Sequence, residues 1–361
     1  MADIVSIATA VPQFAHEQEN ILHFMQNSYD LDNIEKRKLA FLYHQSGIQI
    51  RHSAIPDYGS NSASWNFLPK NKSEAFPSID QRMELYKASA LPISLEAIQK
   101  CIESHITTDK ITHLITISCT GMSAPGLDLE IMEALQLSPT LFRTSINFMG
   151  CYAAIHGLKL AKLICDTEPD AQVVLVATEL CTLHFQQEYN LENASSSLLF
   201  ADGSAAVLVN NNSTHPKALQ IESFYSRVAF QGKKDMAWEI SSQGFLMTLS
   251  GYIPQLIKED IETLVSEALE NKGLAVADIA YWCIHPGGKK IVDVIEQKLS
   301  LTSTQTKYAR EILAGYGNMS SPTILFVLKE IMASEIKHNE KIFGIAFGPG
   351  LTMETFLCKK K

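Results

Sequence analysis

Short apolar runs rich in β-branched residues alternate along the chain with longer amphipathic stretches. Seven of these runs have the length and composition of buried strands, at 4–8, 114–118, 173–177, 205–209, 279–284, 342–347 and 353–357. Apolar positions that recur every three to four residues predict helices at 152–165, 254–270, 289–299 and 322–336. Strands flanked by helices in this way predict an α/β protein with layered, buried sheets.

Two polar stretches interrupt this alternation. The stretch 53–78 combines proline and glycine with serine and asparagine, which predicts a long surface loop. The run NNNSTHP at 210–216 follows an apolar strand, and we place the boundary between two halves there, giving 1–213 and 214–361. A length of 361 residues agrees with two units of roughly 150 residues each.

The composition predicts a folded protein with a large core. Hydrophobic residues make up 46% of the chain and charged residues 19%, which argues against disorder. With 30 basic and 39 acidic residues the net charge is −9, which argues against a nucleic-acid surface. No run approaches the roughly 18 uninterrupted apolar residues of a membrane span. Because the first residues lack a basic signal region and seven scattered cysteines form no CxxC pair, we expect a cytoplasmic protein without disulfides or zinc.

Cys151 is the cysteine whose setting points to chemistry. It lies in NFMGCYAA at 147–154, between a glycine and the helical pattern that follows. This predicts a strand-to-helix turn with the sulfur in the first turn of a buried helix. The free N–H groups and partial positive charge of a helix N-terminus stabilise a thiolate and lower the thiol pKa. A buried cysteine that only packs is the alternative.

Two further motifs supply partners for a thiolate. His285, in CIHPGG at 283–288, ends an apolar strand, where side chains of α/β proteins point into the ligand crevice. Gly287 and Gly288 allow a ligand to approach the backbone closely. Asn318, in GYGNMSSP at 315–322, either helps to cap the next helix or donates an amide hydrogen to a carbonyl oxygen.

The three motifs together resemble the chalcone-synthase-like type III polyketide synthases of the thiolase superfamily. The resemblance runs through nearly the whole chain, in CTGMSAPGLD (119–128), MGCYAA (149–154), LFADGSAA (199–206), HPGG (285–288), GYGNMSSPT (315–323) and FGPGLTMET (347–355). The chain looks like a bacterial-type member. The resemblance implies a thiolase-like αβαβα layered fold made of two similar halves, and a homodimer.

By residue-level matching, the resemblance implies that Cys151 is the nucleophile and that His285 and Asn318 are its catalytic partners. Cys151 takes the acyl group of an acyl-CoA starter, with His285 stabilising its thiolate as an imidazolium. His285 and Asn318 then donate hydrogen bonds to malonyl-CoA as it loses CO₂, and the carbanion extends the chain by two carbons. CoA thioesters are therefore the expected substrates. No cofactor or metal is implied, and the motifs contain no carboxylate base.

The resemblance also assigns substrate-binding positions. Phe200 matches the aromatic gatekeeper of the cavity, and Gly287 with Gly288 matches the turn along which the pantetheine arm lies. Arg51 lies near the segment that supplies basic contacts to CoA in relatives, with a plain surface arginine as the alternative.

Four cavity positions depart from the plant pattern. Cys119 stands in place of a threonine, Ala124 in place of a methionine that reaches into the partner's cavity, and Met247 in place of a second gatekeeper phenylalanine. His184 stands in place of a small pocket threonine. These changes predict a longer or differently routed cavity that His184 narrows on one side, with an aliphatic starter and a pyrone or resorcinol-type product.

Other superfamily members and a non-enzyme are the alternatives. A ketoacyl-acyl-carrier-protein synthase III shares the Cys-His-Asn set, but usually has HQAN where this chain has HPGG. A hydroxymethylglutaryl-CoA synthase needs an acid-base glutamate, and a thiolase needs a second cysteine where this chain has Gly348. The alternative of another class is a non-catalytic acyl-binding subunit, against which the retained Cys151, His285 and Asn318 argue.

Overall fold

The computed structural model describes residues 1–29, 31–59, 65–70, 74–186, 188–211 and 213–361. Its strands are β1 (Ala2–Ala10), β2 (Phe14–Glu17), β3 (Ile50–Ser53), β4 (His113–Ser118), β5 (Phe142–Asn147), β6 (Gln172–Leu180), β7 (Asp202–Asn211), β8 (Leu219–Val228), β9 (Met236–Ser241), β10 (Gly244–Leu249), β11 (Ile279–Ile284), β12 (Lys341–Gly348) and β13 (Thr352–Lys360). Its α-helices are α1 (Gln18–Ser28), α2 (Asn33–His44), α3 (Ile79–Ile102), α4 (Leu127–Ala134), α5 (Ala153–Thr167), α6 (Leu191–Leu199), α7 (Ile253–Glu270), α8 (Lys289–Lys298), α9 (Ser303–Tyr316) and α10 (Thr323–Ala333).

One mixed sheet runs through the protein in the strand order β11-β12-β13-β8-β1-β7-β6-β4-β5. β4 lies parallel to β5 and β6, and β11 lies parallel to β12, whereas the other neighbours are antiparallel. β1 pairs along its length with β7, but only Asp3 and Ile4 pair with β8. The sheet therefore has two sections, β5 to β1 and β8 to β11, that meet at this short contact.

Alternating side chains place helices on both faces of each section. On β6, Val174 packs in the core that contains α3, while Val173 packs in the core that contains α5 and α10. On β12, Ile342 belongs to this same central core, while Phe343 packs with α7 and α8. The helices α5 and α10 thus lie between the two sheet sections. The five layers confirm the predicted αβαβα fold.

The elements predicted from hydrophobic periodicity are present. Each of the seven predicted strand runs lies within an observed strand, and the four predicted helices correspond to α5, α7, α8 and α10. The pattern at 322–336 extends beyond the observed end of α10 at Ala333. Ser334 has an extended backbone (ψ 171°), and its Oγ donates to the Ile331 carbonyl at 2.7 Å. Among the helices of the described residues, none is long and apolar enough to cross a membrane.

The stretch 53–78 differs from the surface loop that its composition predicts. Residues 60–64 and 71–73 lie outside the described residues, but in the rest Asp57, Tyr58, Trp65 and Leu68 are buried. The carboxylate of Asp57 accepts the backbone N–H groups of residues 66, 67 and 68 at 3.1, 2.9 and 2.8 Å. A buried side chain therefore organises this segment from the inside, and such long-range bonding is not visible in composition.

Candidate active site

Cys151 lies in the turn between β5 and α5, two residues before the helix begins. Gly150 makes this turn possible because its φ is +84° and an added Cβ would lie 2.3 Å from Cδ of Pro349. The predicted strand-to-helix turn is confirmed, but the sulfur precedes the first turn of the helix rather than lying in it.

Burial, rather than the helix, dominates the chemistry of the Cys151 thiol. The side chain is 8% exposed, and desolvation raises its pKa to about 11. Hydrogen bonds to the side chains of Ser320 and Asn318 act in the opposite direction, and the charge of Glu179 adds to the rise. Burial therefore raises the pKa of this thiol, in contrast to the expected lowering by a helix N-terminus.

His285 follows β11 directly, and its backbone N–H donates to the Ile345 carbonyl at 2.8 Å. The residue is 1% exposed, and neither ring nitrogen has a hydrogen-bond partner among the described residues. Burial lowers the pKa of His285 to about 3. Burial therefore opposes the charged form of both groups, and the thiolate–imidazolium pair stays a prediction. A neutral imidazole retains a nitrogen that accepts a proton.

Asn318 connects the surroundings of Cys151 and His285. Its Oδ1 accepts the backbone N–H of Ser320 at 2.8 Å, and its Nδ2 donates to the Gly287 carbonyl at 3.4 Å. The same side chain lowers the pKa of the Cys151 thiol. Because Oδ1 is already occupied, the N–H₂ group is the part of the amide that faces the site. This orientation suits a hydrogen-bond donor to a carbonyl oxygen.

Gly287 and Gly288 lie beside His285, between β11 and α8. An added Cβ on Gly287 would lie 3.0 Å from Cδ1 of Ile291 and 3.6 Å from Nε2 of His285. On Gly288 it would lie 3.5 Å from Cδ2 of Leu199. The pair therefore keeps the backbone next to the imidazole free of side chains, while its contact with pantetheine stays a prediction.

A narrow chamber adjoins Cys151. The centre of a water molecule can move within about 20 Å³ of this chamber. The other side chains in its wall include Cys119, Cys181, Phe200, Trp238, Met247 and Ser320. Three of the predicted cavity positions therefore share one chamber with the nucleophile, and most of this wall is sulfur or aromatic carbon.

Trp238, which the sequence analysis does not single out, lies with Cys181, Phe200 and Met247 in the wall that this chamber shares with an inner cavity. It lines both spaces, and its Nε1 donates to the Cys119 carbonyl at 2.7 Å. The inner cavity has a volume of about 40 Å³ by the same measure. The predicted longer or differently routed cavity stays a prediction, and an indole from the β9–β10 ribbon forms part of the wall of both spaces.

His184 lines the inner cavity and packs against the β9–β10 ribbon. This position is consistent with the prediction that it narrows one side of the cavity. Its Nδ1 accepts the Phe245 N–H at 3.1 Å, so its Nε2 carries the proton that it donates to the Thr120 carbonyl at 2.8 Å. The ring stacks on Phe245 with centroids 4.2 Å apart. Burial lowers the pKa of His184 to about 3, so the ring is neutral and acts as a wall.

Arg51 is an internal residue, since it is only 4% exposed. Its Nη1 donates to the carbonyls of Ser197 and Phe200 at 2.7 and 2.6 Å, and its Nε donates to Oε1 of Gln18 at 2.9 Å. The alternative of a plain surface arginine is therefore wrong. These contacts hold the backbone of Phe200, the predicted gatekeeper, and they give no support to a contact between Arg51 and CoA phosphates.

Glu179 is a second residue near the site that sequence reasoning missed. Its Oε2 accepts the Cys119 N–H at 2.9 Å and the Thr120 hydroxyl at 2.8 Å, and its Oε1 accepts the Ser321 hydroxyl at 2.8 Å. Desolvation raises its pKa to about 7. The motifs around Cys151, His285 and Asn318 contain no carboxylate, but the fold brings this one against Cys119 and Ser321. A glutamate inside the apolar run VVLVATEL was the available signal, because an unpaired buried carboxyl group is rare.

Comparisons with known proteins cover the whole chain. The N-terminal domain of chalcone and stilbene synthases matches residues 1–213, and their C-terminal domain matches residues 220–360. Type III polyketide synthase A from Arabidopsis thaliana is 30% identical, with 99% of this chain and 92% of that protein covered. Alpha-pyrone synthesis polyketide synthase-like Pks18 from Mycobacterium tuberculosis is 27% identical, with 99% and 91% covered.

A solved structure extends this agreement to the fold. The C-terminal type III polyketide synthase domain of Steely1, a type I/III hybrid from Dictyostelium, has a TM-score of 0.92 at 26% identity, with 99% of each chain covered. The two domain matches together span both halves that carry Cys151, His285 and Asn318. The chain therefore belongs to the chalcone and stilbene synthase family of type III polyketide synthases and is an acyltransferase.

Proposed function

We propose that this protein extends an aliphatic acyl-CoA starter with malonyl-CoA units, through a thioester on Cys151, to a pyrone or resorcinol-type product. The observation that carries the proposal is the fixed amide of Asn318. Its side chain lowers the pKa of the Cys151 thiol, and its N–H₂ group donates to the carbonyl of Gly287, two residues after His285. This amide supports the assignment of Cys151 as the nucleophile, His285 as the proton acceptor and Asn318 as the donor to a carbonyl oxygen.

Loading begins with a proton transfer from Cys151 to His285. The S–H bond breaks as an N–H bond forms, and the thiolate attacks the carbonyl carbon of the acyl-CoA. The bond to the CoA sulfur then breaks, and the CoA thiolate takes the proton from His285. The neutral pair favours this order, because charge develops only when a thioester reaches the chamber and water is excluded.

Extension uses His285 and Asn318 as donors to malonyl-CoA. Loss of CO₂ leaves an enolate on the thioester oxygen, and donors aimed at that oxygen contribute several kcal/mol in a site closed to water. The enolate carbon attacks the acyl carbon on Cys151, and the cysteine thiolate leaves. Because decarboxylation supplies the nucleophile, this cycle draws on CoA thioesters and on no cofactor.

The wall of the chamber supports an alkyl starter. The thioethers of Met236 and Met247, the thiols of Cys119 and Cys181, and the ring of Phe200 surround it. Thioethers adapt their shape to flexible chains at little cost. The similarity to Pks18, whose name describes alpha-pyrone synthesis, supports the pyrone among the two product types.

We also propose that the working form is a homodimer. β5 is the edge strand of the large sheet, and Phe142 on it is 55% exposed. Met122 is 48% exposed and lies in a surface cleft with Ala124 and the β5 residues Arg143 and Ser145. An uncovered edge strand beside apolar side chains favours pairing with a second copy. Light scattering after gel filtration tests this proposal. We expect twice the chain mass of 40.0 kDa, and a mass equal to that of one chain would contradict the proposal.

The activity is tested with purified protein, malonyl-CoA and acyl-CoAs of graded length, with coumaroyl-CoA as the aromatic competitor. Mass spectrometry of the products should detect pyrones or resorcinols from alkyl starters. The variant C151A should give no product. The matched control C165A should be active, because Cys165 packs in the central core and does not line the chamber. Preference for coumaroyl-CoA would contradict the aliphatic starter, and a single condensation only would favour the ketoacyl synthase III alternative.

A further inference from the structure

Three thiols meet at the chamber, and two of them are open to it. All seven cysteines are free, and Cys119, Cys151 and Cys181 line the same space. Cys151 and Cys181 are each 8% exposed, whereas the other five are 2% exposed or less. Cys151 and Cys181 also belong, with Phe200, to one cluster of contacting side chains. A small molecule that enters the chamber therefore meets these two sulfurs first.

Cys119 is held differently from Cys181. Its sulfur accepts the Gly150 N–H at 3.1 Å, and its backbone N–H is bonded to Glu179. Cys181 is the first residue of a short 3₁₀ turn, Cys181–His184, at the end of β6, and it lines both the chamber and the inner cavity. Cys181 is therefore the better placed of the two to react with a modified Cys151.

We propose that Cys181 is a resolving thiol that forms a reversible disulfide with Cys151 when a hydroperoxide enters the chamber. The proposal rests on the proposed role of Cys151 as the nucleophile. His285 takes the proton of the Cys151 thiol, the sulfur attacks one oxygen of the hydroperoxide, and the O–O bond breaks. A sulfenic acid forms, and the leaving hydroxide or alkoxide takes the proton from His285 to become water or an alcohol. The Cys181 sulfur then attacks the sulfenic sulfur, its proton and the hydroxyl group leave as water, and the S–S bond forms.

The two steps balance, because the peroxide gains the two electrons that the two thiols lose. The disulfide removes the nucleophile from acyl transfer until a dithiol reduces it. It also intercepts the sulfenic acid before a second peroxide converts it to sulfinic acid, which ordinary thiols do not reverse. Cys181 therefore converts an irreversible inactivation into a reversible one.

The test compares the full-length wild type with C181A and with C165A as the matched control. After hydrogen peroxide, the wild type and C165A should lose about 2 Da, yield a cross-linked peptide containing Cys151 and Cys181, and regain activity with dithiothreitol. The variant C181A should instead gain about 32 Da on Cys151 and stay inactive. C181S provides a second variant if the alanine protein is poorly folded.

Two results would overturn the proposal. One is a wild type that gains oxygen on Cys151 without any Cys151–Cys181 peptide. The other is a C181A protein that dithiothreitol restores as fully as the wild type. The peptide map does not depend on the polyketide assay, so failure of the proposed function appears as missing products, while failure of this inference appears as a missing cross-link.

Discussion

Replacement of Glu179 by glutamine should remove a loss of folding stability that the wild type shows as the pH rises. The carboxyl group is buried, and its oxygens accept bonds from Cys119, Thr120 and Ser321. Glutamine has the same shape, retains an acceptor oxygen for the first two groups, and donates to the Ser321 hydroxyl with its amide. The substitution therefore changes the titration of the site more than its packing.

The magnitude follows from the raised pKa of Glu179. Burial moves this pKa from 4.5 to about 7, so between these values the unfolded chain loses a proton that the folded protein keeps. The contribution of Glu179 to the free energy of unfolding is therefore fully present below pH 4.5 and is lost as the pH rises through about 7. At 1.36 kcal/mol per pKa unit, the full loss is about 3 kcal/mol. Most of it, about 2 to 3 kcal/mol, falls between roughly pH 5 and pH 8.

Urea unfolding of the wild type and of E179Q at about pH 5 and about pH 8, at one protein concentration, measures this difference. The stability of E179Q relative to the wild type should increase by about 2 to 3 kcal/mol from the lower to the higher pH. E296Q is the control, because the pKa of Glu296 is lowered by hydrogen bonds from Thr306 and Arg310, which do not titrate between pH 5 and pH 8, so its difference from the wild type should be constant over this range. A constant difference for E179Q as well would refute the reasoning.

Three further substitutions test the site. N318A should slow malonyl-CoA decarboxylation about 100- to 1,000-fold, while iodoacetamide still alkylates Cys151, and an unchanged decarboxylation rate would contradict the role of the amide. S320A should shift the pH midpoint of Cys151 alkylation upward and slow the reaction up to about 10-fold at a fixed pH; an unshifted midpoint would show that Ser320 does not stabilise the thiolate. W238A should open the passage to the inner cavity and change the product ratio of long to short starters by roughly 10-fold in favour of the long ones, and an unchanged ratio would show that the indole is not the barrier.

The sequence predicted the parts of the fold that have a uniform environment. β6 and β7 are buried on both faces and read as continuous apolar runs, and α5 and α10 are apolar enough to be recognised as helices. β5 was missed because it is an edge strand whose residues are mostly exposed or half-buried, which leaves no apolar run. β8 was missed for a similar reason, since its second half is partly exposed.

The catalytic motifs were predicted from short segments, but their surroundings were not. Trp238 and Glu179 reach the site from β9 and β6, far from the motif residues along the chain, and only the fold brings them to Cys119. The sign of the Cys151 pKa shift was missed because a helix N-terminus was weighed without the cost of burial. That cost depends on how completely the fold excludes water, which a local sequence does not reveal.

An acyl group trapped on Cys151 tests the central claim most directly. The wild type is mixed with hexanoyl-CoA alone, quenched in acid and digested, and its peptides are weighed. The account predicts one hexanoyl thioester, on the peptide that contains Cys151, and none on C151A. Acylation of Cys119 or Cys181 instead, or product formation by C151A once malonyl-CoA is added, would contradict it.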